Sequence, residues 1–120
     1  MAEISSKAMQ IANILDSKQA QDILILHVAD QTIISDYFVV ASAPNTSHVQ
    51  TLCEEVEFKM AEVGIKPNRI EGAREGRWVV LDYGDVLVHI FHNEERDFYQ
   101  LERLWKTDGN FYDYTAEKAR

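Results

Sequence analysis

Cysteine is all but missing from this chain: Cys53 is the only one in 120 residues, so no intrachain disulfide can form. A cytoplasmic setting is the simplest reading of that scarcity. Long apolar runs are missing as well. Those present, such as Val79 to Leu81 and Val86 to Val88, fall far short of a membrane span. Met1 to Ser6 lack the basic start and apolar block of a secretory leader. No glycine-rich phosphate loop is present, because Gly72 and Gly76 lack the strand–loop–helix setting it requires. Basic residues are few: 12 Lys and Arg stand against 20 Asp and Glu, a net charge of −8. A nucleic-acid binder gains affinity by neutralising phosphates with a basic face. Here the densest basic stretch, Lys66, Arg69, Arg74 and Arg77, is interrupted by Glu71 and Glu75. Direct DNA or RNA binding is thereby disfavoured. A basic protein partner suits the charge better, since complementary fields speed encounter; plain solubility is the bland explanation of the same excess.

What is there is an ordinary globular balance, 46% hydrophobic and 27% charged, in a length suited to one domain. Ile4, Ala8, Ile11 and Leu15 recur at helical spacing and predict a helix over residues 4–17. Ile23 to Val28 is short, apolar and branched, which predicts a buried strand; Tyr37 to Ala41 predicts a second. Pro44, Asn45, Thr46 and Ser47 carry helix-start signals, and Val49, Leu52, Val56, Met60 and Val63 follow at steps of three or four. Gly64 and Pro67 end that helix, and Glu54, Glu55, Glu57 and Glu62 mark its water face. Ile70 to Gly72 is a short strand or bend. Arg77 to Tyr83 and Asp85 to His92 predict strands of a hairpin turning at Gly84. Phe98, Leu101, Leu104 and Trp105 predict one helix from Asn93 to Trp105. No repeat, low-complexity tract or linker divides the chain. The order α-β-β-α-β-β-β-α predicts a single compact α/β domain, a mixed sheet with flanking helices, over residues 1–106. Residues 107–120 form a tail whose docking the pattern leaves open.

Candidate chemistry is thin. Asp82 and Asp85 flank Tyr83-Gly84 three positions apart across a turn, which suits turn formation better than a metal pair. His89 and His92, also three apart on a strand, point to opposite faces. His27 and Cys53 read as core residues, not ligands. No catalytic residue, metal or cofactor is implied. Trp78 stands out: alternation sets Trp78, Val80 and Asp82 on one face, with Leu87, His89 and Phe91 sharing a face of the next strand. Trp78 and Phe91 read equally as core fillers and as an interface anchor with its neighbour.

One likeness runs through nearly the whole chain. Asp36-Tyr37-Phe38-Val39-Val40-Ala41, the helix start Asn45-Thr46-Ser47-His48-Val49, Glu71-Gly72, and the run from Trp78 to Phe91 fall in order. Arg96, Tyr99, Leu101, Glu102 and Leu104-Trp105 complete it. In these stretches the chain resembles the RsfS/Iojap family of ribosomal silencing factors. The resemblance implies a nucleotidyltransferase-like fold without enzymatic activity, since Ser42-Ala43 stands where those enzymes carry Gly-Ser and the nearest acidic pair is misplaced. It also implies binding to the large ribosomal subunit through its ribosomal protein fourteen, steric obstruction of the small subunit, and repressed translation when nutrients are scarce. On this reading Trp78 and Tyr83 are the anchors, His89 and Phe91 their neighbours, and Glu71, Asp82 and Asp85 an acidic rim. Trp78 and Tyr83 share a surface only if the turn twists Tyr83 outward. Two other readings stand beside it: a nucleotidyltransferase-like, metal-dependent enzyme, and a homodimer formed through the apolar hairpin when the protein is free.

Overall fold

The computed structural model describes residues 5–120; the expected helix start at Ile4 lies outside them. Helix α1 (Ser6–Ser17) opens at Ser5, whose hydroxyl accepts the Ala8 amide proton, and buries Ala8, Ile11, Ala12 and Leu15 along one stripe. Strand β1 (Gln21–His27) pairs antiparallel with β2 (Tyr37–Ala43). Helix α2 (Thr46–Glu62) is capped by Asn45, whose side-chain oxygen accepts from the His48 amide at 2.8 Å. Its stripe is Val49, Leu52, Cys53, Val56 and Met60; Val63, expected to extend it, lies beyond the last helical turn and is exposed.

Beyond α2 come β3 (Arg69–Glu71), β4 (Trp78–Asp82) and β5 (Val86–His92). Asp82 Oδ1 accepts from the Gly84 amide at 2.8 Å and Gly84 takes a φ of 84°, so this pair of residues builds the turn. The six strands run in the order β3-β4-β5-β2-β1-β6, with the last strand described below. Only the central β2–β5 pair is parallel. Parallel neighbours need a long return, and α2, β3 and β4 supply it. Gly72 makes that return tight: with φ at 80° its position has no room for a Cβ, which would stand 2.1 Å from the Trp78 carbonyl oxygen.

Two predicted features differ. The helix expected from Asn93 to Trp105 is broken at Gln100, which sits at φ 49° and ψ 50° between α3 (Asn93–Tyr99) and α4 (Leu101–Trp105). Across the break Arg96 Nε donates to Glu102 at 2.9 Å. The break turns Leu101 and Trp105 onto the sheet and leaves Phe98 and Leu104 exposed. The segment after Thr107 docks: β6 (Phe111–Asp113) pairs with β1, and α5 (Tyr114–Lys118) follows. Tyr114 is buried in the main core and donates to Asn13 Oδ1 at 2.6 Å, and the Thr115 hydroxyl accepts from the Ile23 amide at 2.8 Å.

The sheet therefore has two apolar faces. One carries Ile23, Ile25, Val39, Ala41, Val79, Leu81, Val88 and Ile90 and is closed by α1 and α2. The other carries Leu24, Leu26, Phe38, Val40 and Phe91 and is covered by α4 with Phe111. Toward β3 and β4 the apolar side chains of this second face, Trp78 and Val80, are partly buried.

Candidate protein-binding face

The register explains which side chains meet. Trp78 lies opposite Phe91, Val80 opposite His89, and Asp82 opposite Leu87. On the other side of β4, Glu71 faces Val80 and Arg69 faces Asp82. Directly paired residues of neighbouring strands project to the same side. All of these groups thus share the second face.

Trp78 is the partly buried centre. Its ring stacks on Phe91 at 4.8 Å and leans on Tyr99 at 5.0 Å. Its indole Nε1–H donates to His89 Nδ1 at 3.2 Å. An imidazole that accepts at Nδ1 carries its proton on Nε2, and that buried atom has no partner among the described residues. Burial pushes the His89 pKa down to about 4, so the ring is neutral near pH 7. Phe38 meets His89 edge-on at 4.9 Å and Trp105 at 5.2 Å. The result is a rigid aromatic bed with Trp78 on top. Such an arrangement suits binding, because an anchor held in place loses little freedom when a partner covers it.

Large apolar side chains also stand in water. Phe98 (79% exposed), Tyr99 and Leu104 project from α3 and α4. Ile33 and Ile34 project from the loop before β2, which Gln31 ties to the Trp105 carbonyl at 2.9 Å. Phe98 meets Tyr99 edge-on at 5.0 Å and so continues the Trp78 surface into water, as contact surfaces do.

Of the residues singled out by sequence, the structure brings Trp78, His89 and Phe91 together. Phe91 is fully buried beneath the indole and His89 nearly so; both support the indole from below. Tyr83 requires a correction. The turn does not twist it outward: it is 6% exposed and packs in the core on the α2 side, its hydroxyl without a partner among the described residues. Burial, with Glu57 and Cys53 close by, pushes its pKa up to about 12. The rim is also smaller than expected. Glu71 and Asp82 stand at its edge, each within 3.7 Å of the Arg69 guanidinium, whereas Asp85 pairs with Lys7 of α1 at 2.7 Å. Tyr99 and Arg69 belong to the face, and sequence reasoning assigned neither to it. For Arg69, the two-residue step to Glu71 was a usable signal.

The corner that the enzyme-like alternative would use is a hollow of about 660 Å³ lined by Gln21, Ser42, Arg96 and Arg103 among others, and its serine is already engaged. Ser42 is buried, donates to the Gln21 carbonyl, and accepts from Arg96 Nη1 at 3.1 Å. Among the described residues no group of three or more His, Cys, Asp or Glu could hold a metal ion. Cys53 is buried and its pKa is pushed up to about 11, by burial first and by Glu57 and Glu54 next; that is the opposite of an activated thiol. No helix among the described residues is long and apolar enough to cross a membrane.

Comparison with known proteins agrees with the sequence likeness. A family model described as "Ribosomal silencing factor during starvation" matches residues 1–120. A ribosomal silencing factor RsfS of Bacillus subtilis is 41% identical over 90 residues, 75% of this chain and 76% of the relative. A mouse protein named "Mitochondrial assembly of ribosomal large subunit protein 1" is 30% identical over 112 residues, 91% of this chain and 49% of that protein. A crystal structure of a Chromobacterium violaceum protein matches with a TM-score of 0.82 at 29% identity, covering 90% of this chain and 92% of that one.

Proposed function

Because the chain belongs to the RsfS family of ribosomal silencing factors, we propose that it binds the large ribosomal subunit in the cytoplasm and keeps the small subunit from joining. The contact is with ribosomal protein fourteen of the large subunit, and translation falls when nutrients are scarce. The action is steric and breaks no bond. The observation that carries the reading is the partly buried Trp78, fixed on Phe91, His89 and Tyr99, with exposed Phe98 against Tyr99. An apolar centre with Glu71 and Asp82 at its margin fits a basic protein surface. The net charge of −8 favours such a partner over bare RNA. The mouse relative's name, which refers to the ribosomal large subunit, supports the choice of subunit.

Co-sedimentation with isolated subunits tests the proposal. The protein pellets with large subunits and stays in the supernatant with small ones; pelleting with neither, or equally with both, removes the proposal. A melting point raised by magnesium and a nucleoside triphosphate would instead favour the enzyme.

A further inference from the structure

The hollow beside Ser42, about 660 Å³, is left unused by the ribosome reading: none of Trp78, His89, Phe91 and Tyr99 lines it. Its size falls among small-molecule sites, which span about 300–1,000 Å³. Helices α3 and α4 form one part of its lining, and strands β1, β2 and β6 the other. These two parts are pinned together. Arg96 of α3, 8% exposed, donates through Nη1 to the Ser42 hydroxyl at 3.1 Å and to the Gln21 carbonyl at 3.4 Å, and through Nε to Glu102 of α4 at 2.9 Å. Asn93 Nδ2 adds a bond to Gln21 Oε1 at 3.0 Å. Of the three non-glycine residues with positive φ among the described residues, two, Asp22 and Gln100, lie in this lining, both at 49°. Backbone held in that region is costly and gathers where ligands are clamped.

The charges of the lining have both signs and are left unmatched. Arg96 is paired with Glu102. Arg103 and Lys106, one helical turn apart, meet no carboxylate among the described residues: Arg103 donates to Gln100 Oε1 at 2.6 Å, and Lys106 Nζ lies over the Phe111 ring at 4.0 Å. Asp22 and Asp97 meet no cation among the described residues. Glu102 Oε1 is buried and accepts no hydrogen bond, which is uncommon in a native fold and marks a missing donor. Opposite charges that share one hollow, kept from pairing by walls fixed at Arg96 and Asn93, suit a ligand that carries both signs. A polyphosphate is disfavoured, because the carboxylates of Asp22, Asp97, Glu102 and Asp113 outnumber the three cations. A polyamine would leave Arg103 and Lys106 unmatched, and an apolar ligand would find little besides Leu24.

We propose that this hollow binds a free α-amino acid with a polar side chain, its ammonium held among the carboxylates of Asp22, Asp97 and Glu102 and its carboxylate by Arg103 and Lys106. The pinned walls hold the two sets of charges ready before the ligand arrives, so little order is lost on binding.

The test uses the full chain, isotope-labelled for NMR and titrated separately with L-glutamine, L-asparagine and L-serine. At least one of them is expected to shift the amides of residues 21–24 and 96–106 saturably at millimolar concentration. The N-acetyl and carboxamide forms of that amino acid each lack one charge and should bind about tenfold more weakly, the loss of one charge-assisted hydrogen bond. The same loss is expected of Asp22→Asn with Asp97→Asn, and of Arg103→Gln with Lys106→Gln, all at exposed positions. An unchanged spectrum elsewhere shows that each variant is folded, and should one pair fail to fold, the other decides. No saturable shift with any of the amino acids, equal binding of either blocked form or by a folded double variant, or the same shifts with a nucleoside triphosphate would each overturn the proposal.

Discussion

At the scale of single residues, Trp78 and His89 act as a unit. The indole N–H needs an acceptor, and His89 supplies one only while its Nδ1 is unprotonated. Trp78→Ala should leave a folded domain, because Phe91 and Phe38 remain packed below, but weaken large-subunit binding. Loss of a central aromatic anchor costs about 2 kcal/mol or more, roughly thirtyfold in affinity; binding titrations beside circular dichroism check both halves. If the variant unfolds, Trp78 is a core residue after all. His89 carries a pH prediction. Its pKa is about 4 in the fold against 6.5 when unfolded, so between these values the unfolded chain holds the extra proton. Stability from this group is complete above about pH 6.5 and falls as pH drops toward 4, by at most about 3 kcal/mol. Urea denaturation at pH 7 and pH 5 should show a smaller loss for His89→Gln than for the parent chain; equal losses would refute the assignment.

At the scale of elements, the C-terminal segment is part of the core and not an appendage. Tyr114 is buried and bonded to Asn13, so Tyr114→Ala should destabilise the domain by about 3 kcal/mol, the cost of emptying an aromatic site. Urea unfolding would show it, and an unchanged midpoint would mean that β6 and α5 are dispensable. Most elements were legible from sequence, because β1, β2, β4 and β5 alternate or run apolar and α1 and α2 keep a clear stripe. Two things were not. Tail docking rests on three short pairings of β6 with β1, too few residues to leave a pattern. The break at Gln100 depends on a left-handed residue that is not glycine, held by tertiary contacts such as Arg96 to Glu102. The direction of Tyr83, by contrast, was legible in the alternation past Asp82, and the turn does not alter it. The grouping of Trp78, His89 and Phe91 was thus readable from strand register, whereas the approach of Tyr99 and Phe98 depended on the helical segment after β5.

At the scale of the whole molecule, one sheet is closed on one face by α1 and α2 and only partly covered on the other. That asymmetry leaves the aromatic face available while the fold remains packed. The most direct measurement is sedimentation of purified large and small subunits through a gradient, with increasing amounts of this protein added before they are mixed. The joined fraction should fall with concentration and recover when Trp78→Ala replaces the parent protein. Subunits that join to the same extent at every concentration, with the protein bound to the large one, would contradict the steric account.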